Sequence, residues 1–210
     1  MVIPRVSIIT PTWGRHERLL NRCIPSVQAQ TWRNTEHVIV SDGPDPELLE
    51  KIGKLHESGA FYHPVRFVQL AEHSPEQHWG HLARLAGIEA SGGAYIGYID
   101  DDDLLMPEHC AKLAAALTQN PGAGWAYSVM RSWSSSGLCT EIGHGQLACG
   151  NLGTPMIMHR RETLEHGTWG PASSVEDWEL VSRWTAAGVQ YVHVPEATAE
   201  VWPSVYHVHY

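Results

Sequence analysis

The sequence predicts an α/β protein with a mostly parallel central sheet and helices on both faces. Short runs of β-branched and aromatic residues alternate with segments of helical periodicity. The runs are apolar at consecutive positions, which is typical of strands that helices cover on both sides. Several of these runs also end in polar, turn-forming residues.

The first half of the chain is predicted to form four strands, each followed by a helix. The strands cover 5–10, 36–42, 65–70 and 94–100, and the helices cover 15–30, 46–58, 76–93 and 107–122. Pro25 predicts a kink or a break inside the first helix. Gly92 and Gly93 cap the third helix, and Pro107 opens the fourth.

The second half of the chain is less regular. It is predicted to contain strands at 124–133 and 189–194, a strand running into a helix at 156–167, and a Ser- and Gly-rich stretch at 134–153. The clearest helix covers 173–188, with Ser173 or Ser174 as its cap, acids in its first turn and Gly188 at its end. Because no repeat, low-complexity tract or linker interrupts the chain, we expect a single domain over 1–210.

Composition and charge argue against several classes of function. Of the 210 residues, 14 are Lys or Arg and 23 are Asp or Glu, which gives a net charge of −9. We therefore expect no nucleic-acid-binding patch. No apolar run approaches the ~20 residues of a membrane span. The four cysteines lack CxxC spacing and are predicted to be free thiols, so the expected location is the cytoplasm.

The segment "YIGYIDDDDLLMPEHC" carries the most informative chemistry. Four consecutive aspartates, Asp100 to Asp103, follow an apolar strand. Two carboxylates about 4 Å apart repel by roughly 1 kcal/mol in water and about 4 kcal/mol at an effective dielectric of 20. Such a cluster is solvated, has raised pKa values or holds a cation. An acidic turn with an Asp helix cap is the alternative without any function.

Polar residues also follow two other predicted strands, at 10–15 and at 41–45. The carboxyl ends of parallel strands meet at one edge of a sheet, which is where such proteins bind ligands. We therefore expect these residues and the aspartates to form one site.

Four segments, in order along the chain, resemble family-2 glycosyltransferases of the GT-A fold. The first matches that family's opening strand and helix, the second its base-binding turn, the third its DxD segment and the fourth its ED motif. They are "VSIITPTWGRHERLLNRCIPSVQAQTW", "HVIVSDGPDPE", "ARLAGIEASGGAYIGYIDDDDLLMPEHCAKL" and "EDWELVSRWTAAG". The resemblance implies a single GT-A (Rossmann-like) domain, with a nucleotide-sugar-binding half at about 1–103 and an acceptor-binding half at about 104–210.

The resemblance also implies the residues that bind the donor. Thr10, Pro11 and Thr12 would line the nucleoside pocket with Arg15 nearby, Asp42 would accept a hydrogen bond from the base, and Arg84 takes the family's arginine position. Asp100 would lie near the ribose and the metal, Asp102 would ligate the metal, and Asp101 would contribute to the nucleotide site. Leu85 departs from the family's asparagine at that position. Arg15 and Arg84 are predicted to pair either with the diphosphate or with surface carboxylates.

The metal is expected to be Mn²⁺ or Mg²⁺, because both ions prefer oxygen ligands. His207 and His209 are candidates for a third ligand, and a fraying tail is the alternative for them. The pair at His78 and His81 is predicted to be structural or on the surface, since no further residues complete a zinc site.

The resemblance makes Asp177 the catalytic base, with Glu176 beside it. From the residues alone, acids in the first turn of a helix need no role beyond a favourable interaction with the helix dipole. The catalytic hypothesis is that the base takes the proton of an acceptor hydroxyl during an in-line, inverting displacement.

The predicted function is inverting, divalent-metal-dependent transfer of one sugar from a nucleotide-diphosphate sugar to an acceptor hydroxyl. We expect a UDP-linked donor. Transfer of a single sugar is favoured over polymer synthesis. The sequence lacks membrane helices and, after the ED helix, the Q-x-x-R-W motif of processive synthases. Two alternatives are a sugar-phosphate nucleotidyltransferase and a non-catalytic nucleotide-sugar-binding protein. A homodimer is left open.

Overall fold

The computed structural model of the chain describes residues 3–75, 80–171 and 175–203. Within these ranges nine strands form a single sheet. The strands are β1 Val6–Thr12, β2 Thr35–Ser41, β3 Val65–Gln69, β4 Tyr95–Tyr98, β5 Leu104–Leu105, β6 Ala123–Trp133, β7 Cys139–Ile142, β8 Ile157–Arg160 and β9 Gln190–Val201.

In the described ranges six α-helical segments flank the sheet, together with one π-helical and two 3₁₀ segments. The α-helices are α1 His16–Arg18, α2 Ile24–Gln28, α3 Pro46–Glu57, α4 His81–Ala90, α5 His109–Gln119 and α6 Glu176–Ala186. The π-helical segment covers Leu19–Cys23, and the 3₁₀ segments cover Thr154–Met156 and Arg161–His166. No helix in the described ranges has both the length and the apolar character needed to cross a bilayer.

The sheet has the strand order β3-β2-β1-β4-β8-β6-β9-β5, with β7 paired to β6. The first four strands are parallel to one another. In the second half β8 runs antiparallel to β4 and β6, whereas β6 and β9 are parallel. The α/β class is confirmed, and the carboxyl ends of β1, β2 and β4 lie together at one edge.

The first predicted helix is irregular next to Pro25, at the π-helical segment Leu19–Cys23, but it is not broken at the proline. That helix consists of α1, the π-helical segment and α2, and Pro25 lies in the first turn of α2. Proline has no N–H to donate to the preceding turn. The chain widens into the π-helical turn directly before it.

The last strand is longer than the apolar pattern predicts. β9 runs to Val201 rather than ending at 194, because its second part pairs with β6 and with the short strand β5. Pro195 lies inside a register irregularity between His193 and Ala197, where a missing N–H is tolerated. This extension brings Trp202 next to the aspartate turn that follows β4.

The core lies between the parallel strands and the helices that cover them. Ile8, Ile9, Val38, Ile39 and Ile96 are fully buried on the strands. The four cysteines are free, as predicted, and Cys23 and Cys110 lie in this core.

Helix α4 packs very closely on the sheet at Gly87, which generates a stability prediction. A Cβ at this position would overlap Ile9 Cγ2 and lie 3.3 Å from Val40 Cγ2. We expect Gly87→Ala to lower the free energy of unfolding by about 1–3 kcal/mol, because the core would be overpacked. Urea denaturation measures this change.

The matched control is Gly53→Ala in α3, where a Cβ would meet no described atom within 4 Å. This substitution should raise the free energy of unfolding by about 0.5–1 kcal/mol, since alanine restricts the unfolded chain more than glycine does. Equal effects of the two substitutions would contradict the close approach of α4 to β1.

Candidate functional site

The four aspartates form a tight turn at the end of β4. The amide of Asp103 donates to the carbonyl of Asp100 over 3.2 Å. Asp101, Asp102 and Asp103 are buried, whereas the side chain of Asp100 is 38% exposed. The burial of three carboxylates excludes a merely solvated acidic turn, because buried charges need partners.

Two arginines supply partners from the segment that follows β1. Arg15 Nη1 lies 2.8 Å from Asp102 Oδ2 and 3.2 Å from Asp101 Oδ1. Arg18 Nη1 lies 3.2 Å from the same oxygen of Asp102. Burial lowers the pKa of Arg15, but Asp101 and Asp102 outweigh this effect and raise it above its ordinary value. The Asp102 carboxylate is therefore held by two guanidinium groups.

The buried aspartates at 101 and 103 have raised pKa values. Burial raises the pKa of Asp101 to about 6, although Arg15 and a 2.7 Å hydrogen bond from Thr12 Oγ1 oppose the shift. Burial and the neighbouring carboxylates Asp100 and Asp102 raise the pKa of Asp103 well above its usual range. The ionised forms of Asp101 and Asp103 are therefore disfavoured, and a bound cation would make them more favourable.

Arg22 and Trp202 hold the backbone of the turn. Arg22 Nη1 donates to the carbonyl of Asp102 over 2.9 Å, and its guanidinium lies 4.1 Å from the centre of the Trp202 ring. The amide of Trp202 donates to Asp103 Oδ1 over 3.2 Å. The predicted ligands His207 and His209 lie outside the described residues, as does His78.

Arg84 joins the aspartate turn to helix α6. Its Nη2 donates to Asp100 Oδ1 over 2.9 Å, and its Nη1 donates to Glu176 Oε1 over 2.6 Å. The guanidinium is buried and lies 4.7 Å from the centre of the Trp169 ring. Burial lowers the pKa of Arg84, but the two carboxylates outweigh this and raise it. Arg84 therefore bridges two carboxylates of the site, Asp100 and Glu176.

The acidic pair at the start of α6 lies mostly out of contact with water. Burial raises the pKa of Glu176 to about 7, against the lowering effect of Arg84. Burial also raises the pKa of Asp177, whose Oδ1 accepts a 2.7 Å hydrogen bond from the amide of Trp178. Among the described residues, Glu176 Oε2 is buried without a hydrogen-bond partner. Glu176 can therefore exchange a proton near neutral pH.

Asp42 lies at the end of β2 beside two partly exposed rings. Its Oδ1 accepts hydrogen bonds from the amide of Ser74 at 3.1 Å and from Ser74 Oγ at 2.6 Å. His73 Nδ1 lies 3.2 Å from Asp42 Oδ2. The rings of Trp13 and His73 stack with centroids 4.2 Å apart and planes 10° apart. The motifs of the sequence did not point to Trp13, His73 or Ser74, although Trp13 directly follows the polar end of β1.

The three predicted residues at the end of β1 face different surroundings. Thr10 Oγ1 lies 2.8 Å from His37 Nε2 and 3.6 Å from Cys23 Sγ, so this hydroxyl points into the core. Thr12 reaches the aspartate turn through its hydrogen bond to Asp101, and Pro11 is partly buried.

No group of three or more His, Cys, Asp or Glu residues in the described parts of the chain is arranged to hold a metal ion. His81 is buried at the start of α4, in keeping with its predicted structural role. Any metal at the aspartate turn therefore needs further ligands from water, from a bound molecule or from outside the described residues.

The fold and the site define an α/β domain with a polar site at the sheet edge formed by the carboxyl ends of its parallel strands. Residues 7–164 match the profile of the family described as Glycosyl transferase family 2. Because the match covers more than half of the chain, the chain belongs to this family of enzymes, as its motifs predicted.

Curated relatives match this chain over part of their length. EpsH of Bacillus subtilis (strain 168) is 31% identical over 116 residues, which cover 54% of this chain and 30% of EpsH. EpsJ of the same strain, an uncharacterized glycosyltransferase, is 32% identical over 122 residues, which cover 57% of this chain and 32% of EpsJ. An N-acetylglucosaminyltransferase of Mesorhizobium japonicum is 25% identical over 224 residues, which cover 93% of this chain and 51% of the relative. The matched regions thus cover 30% to 51% of the length of these relatives.

Solved structures share the fold at low sequence identity. Staphylococcus aureus TarS 1–349 in complex with UDP-GlcNAc has a TM-score of 0.77 and 15% identity, over 95% of this chain and 59% of TarS 1–349. The Pyrobaculum calidifontis mannosyltransferase PcManGT, in complex with GDP-Man and Mn²⁺, has a TM-score of 0.71 and 17% identity, over 96% of this chain and 57% of PcManGT. These similarities establish the GT-A fold.

The raised pKa of Glu176 predicts a pH-dependent stability. In the folded protein the pKa of Glu176 is about 7, against an ordinary value of 4.5. The protonated Glu176 therefore stabilises the folded protein fully below pH 4.5, and this contribution is lost as the pH rises through 7. Glu176→Gln removes the buried charge and should raise the free energy of unfolding at pH 8 by at most about 3 kcal/mol, at 1.36 kcal/mol per pKa unit. The gain should vanish near pH 4.

Urea unfolding between pH 4 and 8 measures this difference. The control is Glu165→Gln, which removes the same charge from an exposed position. Because the substitution also weakens the contact with Arg84, the pH dependence is the diagnostic quantity. A stability difference between Glu176→Gln and the wild type that stays the same from pH 4 to pH 8 would contradict the burial of an ionisable Glu176.

Proposed function

We propose that this domain transfers a single sugar from a nucleotide-diphosphate sugar to an acceptor hydroxyl, with inversion at the anomeric carbon. The observation that carries the proposal is the Arg84 bridge. One buried guanidinium holds Asp100 of the DxD turn and Glu176 of the ED motif together. Family membership supports sugar transfer over a nucleotidyltransferase and over a non-catalytic binding protein.

We assign donor binding to the half of the domain at about 1–103 and acceptor binding to the half at about 104–210. Asp42 would accept a hydrogen bond from the nucleobase, and the Trp13–His73 stack offers a flat surface beside it. We propose a UDP-linked donor. This choice draws support from the structures of TarS 1–349 in complex with UDP-GlcNAc and with UDP.

The residues of the aspartate turn fit a divalent cation by their donor chemistry. Asp100 and Asp102 offer carboxylate oxygens, and Asp100 is partly open to solvent. Mg²⁺ and similar ions bind through one or two carboxylates together with substrate phosphates, so a set of three protein ligands is not required. When bound, such a cation offsets the negative charge that builds up on the leaving diphosphate. The structure of PcManGT in complex with GDP-Man and Mn²⁺ supports Mn²⁺ or Mg²⁺ here.

Asp177 is proposed as the base. Its carboxylate takes the proton of the acceptor hydroxyl as that oxygen attacks the anomeric carbon, and the bond from this carbon to the diphosphate oxygen breaks. The nucleoside diphosphate leaves from the opposite side, which inverts the configuration. The raised pKa of Asp177 makes it a stronger base than an exposed aspartate. Arg84 fixes Glu176, and with it the first turn of α6, against the donor side. The cytoplasmic location, a homodimer and the histidine ligands stay predictions.

The proposed donor predicts a selective thermal shift. In the presence of Mn²⁺, UDP-sugars should raise the melting temperature of the wild-type protein more than GDP-sugars do. With EDTA the shift should shrink, because the cation helps to bind the diphosphate. Equal shifts with all nucleotide sugars and no metal dependence would contradict both the UDP and the metal assignments.

The proposed base predicts that Asp177→Asn separates binding from chemistry. With the donor found in the thermal-shift panel, kcat/KM for transfer should fall by about 100-fold or more, as for loss of a general base. The Kd for UDP, measured by calorimetry, should stay within about twofold, because the side chain lies on the acceptor side. Glu165→Gln serves as the control. Normal transfer by Asp177→Asn would disprove this assignment.

A further inference from the structure

Two arginines converge on one oxygen of the aspartate turn. Arg15 Nη1 and Arg18 Nη1 lie 2.8 Å and 3.2 Å from Asp102 Oδ2. Arg15 is the N-cap of α1 and Arg18 its last residue, so both side chains reach the turn from one face. Their side chains are 31% and 33% exposed, against 5% for Asp102. The carboxylate is enclosed, while both guanidinium groups remain accessible from solvent.

This arrangement places positive charge where the proposed function needs a cation. A divalent ion that binds Asp102 adds two positive charges beside two guanidinium groups, and the three cations repel one another. The ion and the arginines therefore compete for the same carboxylate. A donor diphosphate changes this balance, because it brings new oxygens that arginines bind well.

We propose that Arg15 and Arg18 alternate between Asp102 and the donor. In the free protein they hold the Asp102 carboxylate, and when a divalent cation takes Asp102 they move onto the diphosphate of the nucleotide. This inference rests on the proposed metal site and extends it to a pair of donor-binding residues. It couples cation and nucleotide binding, because each of them lowers the cost of binding the other.

Arg22 shows that the turn does not need this pair for its shape. Arg22 binds the backbone carbonyl of Asp102 and packs on Trp202, so it anchors the main chain of the turn. Arg15 and Arg18 contact side-chain oxygens instead. These contacts can be exchanged without refolding the turn.

The first experiment measures Mn²⁺ binding alone, from the EPR signal of the free ion. Arg18→Gln should bind Mn²⁺ about twofold to fivefold more tightly than the wild type, in line with the loss of one partly exposed ion pair. The control, Arg33→Gln, removes the same charge from an exposed position before β2 and should bind like the wild type. Asp102→Asn should no longer bind Mn²⁺ at this site.

The second experiment measures UDP binding in EDTA by calorimetry. Asp102→Asn should bind UDP more tightly than the wild type, because it frees both arginines. When Arg15→Gln and Arg18→Gln are added, the gain from Asp102→Asn should disappear. If Asp102→Asn still tightens UDP binding when both arginines are replaced, the gain comes from removing the repulsion between Asp102 and the diphosphate. That result would overturn the proposed exchange of Arg15 and Arg18.

The outcomes separate this inference from the function on which it rests. If Asp102→Asn loses Mn²⁺ while Arg18→Gln binds it like the wild type, the exchange is wrong and the metal site stands. If Asp102→Asn binds Mn²⁺ like the wild type, the metal assignment fails, and the exchange fails with it.

Discussion

Buried negative charge at the end of β4 is the constraint on which the site depends. Three consecutive carboxylates, Asp101 to Asp103, are removed from water, and each would be costly without a partner. Arg15 reaches Asp101 and Asp102 from the segment after β1, Arg18 reaches Asp102, and Arg84 reaches Asp100 from α4. The positions of both helical segments on the sheet are thus tied to the charge balance of one turn.

The same charge balance extends across the domain to α6. Arg84 shares its guanidinium between Asp100 and Glu176, which are far apart in sequence and belong to the two proposed halves. Trp169 covers this pairing and limits its hydration. The raised pKa values of Glu176 and Asp177 follow from that dry environment. The buried guanidinium of Arg84 therefore connects the side of the site that is proposed to bind the diphosphate with the side that is proposed to deprotonate the acceptor hydroxyl.

Local patterns in the sequence were enough to predict the parallel strands, an irregular first helix around Pro25 and the polar strand ends that meet at one edge. They were not enough to predict that Arg18 reaches Asp102 or that Trp13 stacks on His73, because those contacts depend on how separate segments pack. The second part of β9 also escaped the apolar pattern, since pairing with β5 and β6 defines it. Thr10 lies at a position of the family's motif, but the motif does not reveal that its hydroxyl faces His37 in the core.

The most direct test of this account is a crystal structure with Mn²⁺ and UDP, in which anomalous scattering locates the metal. The account predicts one manganese bonded to a carboxylate oxygen of Asp102 and to the diphosphate, with Arg84 still between Asp100 and Glu176. A diphosphate bound at another edge of the sheet, with Arg15 and Arg18 unmoved on Asp102, would contradict it.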